Sequence, residues 1–386
     1  MAKAIRKSGT TSKPKATRKS GATGKSEALA LLKHIDYDPF AEALAANKKI
    51  PAIQIPASFW GTMQPILEKI KYKPSDPLPK ADVLVITWTT AETQALSAVM
   101  TSNHDYKTTW FKYQHKSAPI LKKVPQYVIT QEKNTLKLGA IGWLTMVMFN
   151  GKKVLLFKSE LHPAVDGVQL PVVDLVQQIA QEAQPSLIIT TGTAGAIGSD
   201  LKAGDAVVTG KARFFLVRPK TYADFPGITD AVQFASTIGT VKKTYITKCN
   251  SQVTVLAEPA VNEICLAKGY PQLKRTPVIY YDSVPGLPAA DAVSSNGFSM
   301  DDAAHKMGLQ DLGAFNEMND AFVVFALSQV NATKNIPWLS IRNMSEPQAP
   351  DLSTATKKKW HQMYDDIGFY TTYNSAFACW AVICGI

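Results

Sequence analysis

The sequence predicts an α/β sandwich built about a mostly parallel or mixed β-sheet. Three observations carry that prediction. Short apolar strands alternate with helical segments along most of the chain, no internal repeat interrupts the alternation, and 386 residues at 46% hydrophobic content suffice for one large core.

Residues 1–26 stand apart. They hold eight Lys or Arg and no acid, which leaves only +3 of the net +11 for the rest of the chain. Rich in Ser, Thr, Gly and Lys, the segment lacks the apolar content to fold and reads as a disordered basic tail. Two uses are open for it, a solvated extension or an arm for an acidic partner such as nucleic acid. It has no apolar segment of the kind a secretory signal needs. Residues 27–80 read as an accessory N-terminal segment, with an amphipathic helix from Glu27 and a close at Pro74, Pro77 and Pro79.

From Ala81 the character changes, and residues 81–386 read as the main domain. The run VLVITW is a strand, and TTAETQALSAVM behind it has helical spacing, with a threonine pair able to cap its start. Residues 106–123 are aromatic and basic and match no regular element; base stacking and ordinary packing are both open for them. Strands follow at 126–130, 144–149 and 154–158, the last two joined at Asn150-Gly151 as a hairpin. A helix over 168–183 ends before Pro185.

The stretch LIITTGTAGAIGSDLKAGDAVVTG, 187–210, organises the rest. It reads as a short strand, a tight small-residue turn at Gly192 and Gly195, a second turn over 200–204 and a strand over 205–209. Such a turn can bring bare amides close to an oxyanion or a sugar hydroxyl. Beyond it the pattern predicts strands at 212–217, 277–281 and 337–342. Helices are predicted over 259–268, over the apolar 311–331, and from 357 to the C-terminus.

In open α/β sheets ligands bind at the carboxyl ends of strands. That rule selects residues 89–92, 191–195 and 343–346, three segments able to face one cleft. Glu92 and Glu346 each follow an apolar strand, where a cleft carboxyl can act as acid or base and a surface one is merely solvated. Glu317 lies in AFNEMNDAFVVFA, at the mouth of an apolar helix, which favours burial or a ligand contact. The four cysteines and six histidines have no metal-ligand spacing, so no metal is expected and the thiols read as buried and reduced in a cytoplasmic protein. No apolar run reaches the length of a membrane span, and no membrane contact is expected.

The run TTGTAGAIGSDLKAGDAVV resembles the glycine loop of the nucleoside phosphorylase and nucleosidase superfamily. It is most similar to that of the methylthioadenosine/S-adenosylhomocysteine nucleosidases, which read T-G-S-A-G-G and then L-x-x-G-D-x-V. VLVITWTTAETQAL resembles the first strand and acid-bearing helix start, and SSNGFS the segment with the base-stacking aromatic. NEMNDAF followed by PWLSIRNMSEP resembles the E-M-E helix and the R-x-x-S-D loop.

The resemblance implies a three-layer sandwich around a large mixed sheet, here with an N-terminal extension, usually in homodimers or higher homo-oligomers. It implies cleavage of an N-glycosidic bond in a purine nucleoside without a cofactor. By position Glu92 matches the acid that activates water, Thr193 the small hydroxyl residue near the nucleophile, Phe298 the stacking ring and Met318 the methionine under the ribose. Gly192, Ala194 and Gly195 belong to the matched loop, and Glu317 opens the matched E-M-E. Glu346 falls where the family has the aspartate that protonates purine N7, and Asn319 where it has the glutamate that grips the ribose hydroxyls.

Those two departures leave reduced activity, an altered substrate or loss of activity open. Hexameric-type phosphorylases carry an arginine just before the glycine loop, where this chain has Thr190, and Glu92 in the first loop would repel phosphate. Hydrolysis is therefore the expected reaction. A phosphorylase, with Lys158, His162, Arg213 and Arg218 as candidate phosphate ligands, and a nucleoside-sensing or binding module are the alternatives.

Overall fold

The structure, a computed structural model, describes residues 55–102, 104–124, 139–162, 171–215, 233–236, 243–256, 258–270, 277–295, 308–348 and 353–386. The basic tail, the helix expected from Glu27, the strand expected at 126–130, Arg218 and Phe298 lie outside them.

The first half of the described chain contains α1 (Ala57–Trp60), β1 (Ile66–Leu67), β2 (Val83–Thr87), α2 (Thr90–Met100), α3 (Tyr106–Thr109), β3 (Phe111–Tyr113), α4 (Ser117–Leu121), β4 (Gly142–Phe149), β5 (Lys152–Ser159), α5 (Val172–Ala183) and β6 (Leu187–Ala196). The second half contains β7 (Ala206–Thr209), β8 (Lys211–Phe214), β9 (Gln233–Ala235), α6 (Lys243–Leu256), α7 (Glu258–Lys268), β10 (Ile279–Tyr281), β11 (Ala292–Ser294), β12 (Phe315–Glu317), α8 (Asp320–Ser328), β13 (Trp338–Glu346) and α9 (Thr354–Gly385).

The strands form one mixed sheet. β2 lies parallel between β5 and β6, and β4 pairs antiparallel with β5 across the turn at Asn150 and Gly151, both at positive φ. This is the predicted hairpin, with the left-handed pair that a tight two-residue turn requires. β6 has β13 parallel along one edge, and its last residues pair with β12 on the other. From β13 the pairing passes to β7; β8, which follows β7 in the chain, returns through β11 to β12. These strands close a circuit around the far half of β6.

Strand alternation divides the apolar residues between two layers. Val83 and Val85 of β2, with Leu339 and Ile341 of β13, pack against α2, α6, α7 and α9. Leu84 and Ile86, with Trp338 and Met344, face α5 and α8. Helices cover both faces, giving the α/β sandwich that the alternation predicts. Before Ala81, β1 adds a short edge to β4, and Phe59 and Trp60 pack on the Trp380 ring of α9, with centroids at 4.9 and 5.3 Å.

Three segments differ from their predicted form. Residues 187–196 do not turn at Gly192 and Gly195 but continue as one strand, because β13 supplies hydrogen-bonding partners from Ile188 to Gly195. The helix expected over 311–331 is a 3-10 turn at Leu309–Asp311, then β12, then α8. Phe315 and Asn316 pair with Ala196 and Gly195, and the Glu317 carboxylate accepts the amide hydrogens of Asn319 and Asp320, so the helix starts only at Asp320. Within 106–123, Phe111–Tyr113 pairs with β4 between two short helices.

Candidate active site

A pocket opens beyond the ends of β2 and β5 and along the last residues of β6, β12 and β13. Its walls bring together Glu92, Thr193, Ala194, Gly195, Glu317, Met318, Asn319 and Glu346, so all three strand ends selected from the sequence meet there. Gly192 stands directly behind Glu92. His162, Arg342, Ser345 and Tyr364 are further walls.

Glu92 owes its place to a capping box. Thr89 caps α2 by accepting the Glu92 amide at 3.2 Å, while Glu92 Oε2 accepts the amides of Thr89 and Trp88 at 3.0 Å each. Oε1 accepts the Thr193 amide at 2.9 Å, its hydroxyl at 3.2 Å and Arg342 Nη1 at 3.4 Å. Five donors thus hold one carboxylate that is 2% exposed. The glycine at 192 serves this approach, since a Cβ there would overlap the Glu92 carboxyl. Gly192→Ala should therefore destabilise the fold by about 1–3 kcal/mol, as other overpacked sites do, and push Glu92 aside. Thermal melting checks the first effect and turnover the second.

Glu346 is held differently. A register shift in β13 between Met344 and Glu346 breaks the two-residue alternation, so the consecutive Ser345 and Glu346 both reach the pocket. Ser345 donates a hydrogen bond to Oε2, whereas Oε1 is buried without a partner. Burial, reinforced by Asp365, raises the Glu346 pKa to about 8 against the donation from Ser345, so near neutrality the group is mostly a protonated acid.

The centre of the site is Arg342, which the sequence reading quoted within its loop but gave no role. It is 1% exposed and donates through Nε and Nη2 to Asp320, with Glu317 at 3.6 Å and the Trp88 ring 5.1 Å from its Cζ. Burial opposes its charge, but Asp320, Glu317 and Glu92 together keep it protonated. Burial and Asp320 in turn hold Glu317 well above the usual carboxylate range. A charged residue inside the apolar run WLSIRNM, on the face of β13 opposite Leu339 and Ile341, was the available signal.

At the other wall, Asn319 Nδ2 lies 3.5 Å from His162 Nε2, and Asn319 Oδ1 is buried without a partner. Burial, with Arg342 and Lys158 nearby, lowers the His162 pKa to about 3, so this imidazole is neutral and cannot clamp an anion by charge. Lys158 pairs with Glu160 at 2.9 Å and Arg213 with Asp291 at 3.1 Å, and neither forms part of the pocket wall. Among the described residues no cluster of three or more His, Cys, Asp or Glu could hold a metal ion, and no helix is long and apolar enough to cross a membrane.

No family model and no curated protein matches the chain. Solved structures do. The chain is similar to 5'-methylthioadenosine/S-adenosylhomocysteine nucleosidase from Neisseria meningitidis, at 15% identity and a TM-score of 0.45, over 79% of this chain and 99% of that one. It is likewise similar to futalosine hydrolase of Helicobacter pylori, at 12% identity and a TM-score of 0.43, over 78% and 97%. The nucleosidase of Colwellia psychrerythraea, solved with adenine, matches at 14% identity and a TM-score of 0.42, over 78% and 96%. Likeness at this level identifies no activity, and function has to be argued from the site.

Proposed function

We propose that the chain is a hydrolase of the N-glycosidic bond of purine nucleosides. The observation that carries this reading is Glu346, a buried acid with a pKa of about 8 and an unpartnered oxygen, in the same pocket as the hydrogen-bonded carboxylate of Glu92. Breaking a glycosidic bond by way of an oxocarbenium-like transition state needs those two functions, a proton for the leaving group and negative charge with a held water at the anomeric carbon.

Glu346 donates its proton to the base, and the C–N bonding electrons leave with it. Water beside Glu92 Oε1 adds to the cationic carbon, and its proton leaves by way of that carboxylate to solvent. Because the bond breaks early, the water needs orientation and a negative neighbour more than a strong base, which suits a carboxylate already facing five donors. Met318 underlies the sugar, and Asn319 Oδ1 takes a hydrogen bond from one of its hydroxyls in place of a charged grip.

Water is favoured over phosphate by charge. Arg342 is the cation on the described pocket wall, and it is already shared among Glu92, Glu317 and Asp320. A panel of purine nucleosides and their 5'-substituted forms, incubated in phosphate-free buffer, tests the reading. Free base should appear from at least one of them, and tight binding with no release from any would replace this reading with the sensor alternative.

A further inference from the structure

We infer that Asp320 is a positioning residue that aims the Arg342 guanidinium at Glu92 and cancels its charge, so that the pocket takes water and rejects phosphate. The inference rests on the hydrolytic reading above. Asp320 is 1% exposed, sits in the first turn of α8, and is not a wall of the pocket. Its two oxygens accept from Arg342, Oδ2 from Nε at 3.1 Å and Oδ1 from Nη2, and Ser340 Oγ adds a further hydrogen bond to Oδ2. Ser340 and Arg342 are two residues apart on one strand and therefore on the same face, which lets one carboxylate hold both.

This grip uses two of the three guanidinium nitrogens. Nη1 takes no part in that grip and lies 3.4 Å from Glu92 Oε1 and 3.4 Å from the Thr193 carbonyl, while Nη2 also lies 3.6 Å from the wall residue Glu317. Both contacts are long for charged hydrogen bonds, so Nη1 keeps capacity to donate to a water oxygen beside Glu92. In the run NEMND residue 319 is an amide, and the carboxylate stands one position later. The negative charge of Asp320 therefore lies against Arg342 and off the pocket wall. There it neutralises the guanidinium without touching a ligand and leaves Glu92 to set the sign of the field at the reacting carbon.

The test compares wild-type protein with Asp320→Asn, using inorganic phosphate as the probe. Asp320→Asn keeps the shape but loses the charge. Its kcat should fall about 100-fold, the cost typical of a catalytic group displaced by about 1 Å, with KM changed less than about threefold. Isothermal titration should show phosphate binding at least about tenfold tighter than in the wild type, because Arg342 is then available to a second anion. A role in stability alone would move neither the KM-against-kcat split nor phosphate affinity. Wild-type kcat in the variant, or phosphate affinity equal to that of the wild type, would overturn the inference. Should Asp320→Asn fail to fold, Ser340→Ala retains both charges and loses one hydrogen bond to Asp320. It should lower kcat about fivefold with phosphate binding unchanged, and unchanged kcat would contradict the aiming role. If the wild type cleaves no nucleoside, the hydrolytic reading fails, while phosphate titration still decides whether Asp320 cancels Arg342.

Discussion

Glu346→Gln should lower kcat by about 10²–10⁴-fold, the range a positioned general acid contributes, while leaving nucleoside binding largely intact. The amide has the size of the carboxyl and no proton to give. On the proposed mechanism the protonated form is the active one, so kcat should fall as pH rises through about 8; in the variant that limb should vanish. Stability should fall with rising pH, as activity does. The folded-state pKa of Glu346 lies above the ordinary 4.5, so the group's stabilising contribution is fully present below the unfolded value. It is lost as pH rises towards and through about 8. The variant does not titrate there, and by pH 9 it should melt above the wild type. A pH–rate profile paired with melting curves at pH 6 and pH 9 reads both effects. A variant with wild-type turnover would remove Glu346 from the mechanism.

The second large effect belongs to Glu92→Gln. Turnover should again drop by about 10²–10⁴-fold, but here with a loss of stability. Oε2 faces the amides of Trp88 and Thr89 and Oε1 faces Thr193 and Arg342, so the NH₂ of a glutamine meets donors whichever way it turns. A buried donor left facing donors costs about 1–3 kcal/mol. The two substitutions are thus separable. Both lower turnover by similar factors, but Glu92→Gln lowers the melting temperature at every pH, whereas Glu346→Gln raises it on the alkaline side. Melting curves of the pair beside single-turnover rates check this contrast, and equal melting behaviour would contradict the two environments assigned here.

Much of the fold and the outline of the site was legible in the sequence, for physical reasons that differ by element. The strand-end rule worked because β2, β6 and β13 are adjacent and parallel, which forces residues 89–92, 191–195 and 343–346 to one end of the sheet. The Asn150-Gly151 turn and the threonine cap of α2 were readable because each is decided by two to four neighbouring residues. The glycines at 192 and 195 misled because a tight turn and a close approach ask for the same small residue, and only the distant Glu92 distinguishes them. Residues 311–331 read as one helix because β12 is three residues long and exists through its partners β6 and β11.

Arg342 and its partner Asp320 were missed because their places are set by neighbours distant in sequence. Glu92 lies 250 residues from Arg342. The bulge that turns Glu346 inward leaves no mark in local composition, so position along the chain does not say what surrounds that carboxyl.

On the proposed function this pocket transfers a glycosyl group from a purine to water. Product analysis by mass spectrometry, with a cleavable purine nucleoside and inorganic phosphate either absent or in large excess, tests it most directly. Free base and free sugar should form at the same rate in both buffers. Sugar phosphate in place of free sugar, or release only when phosphate is present, would contradict it.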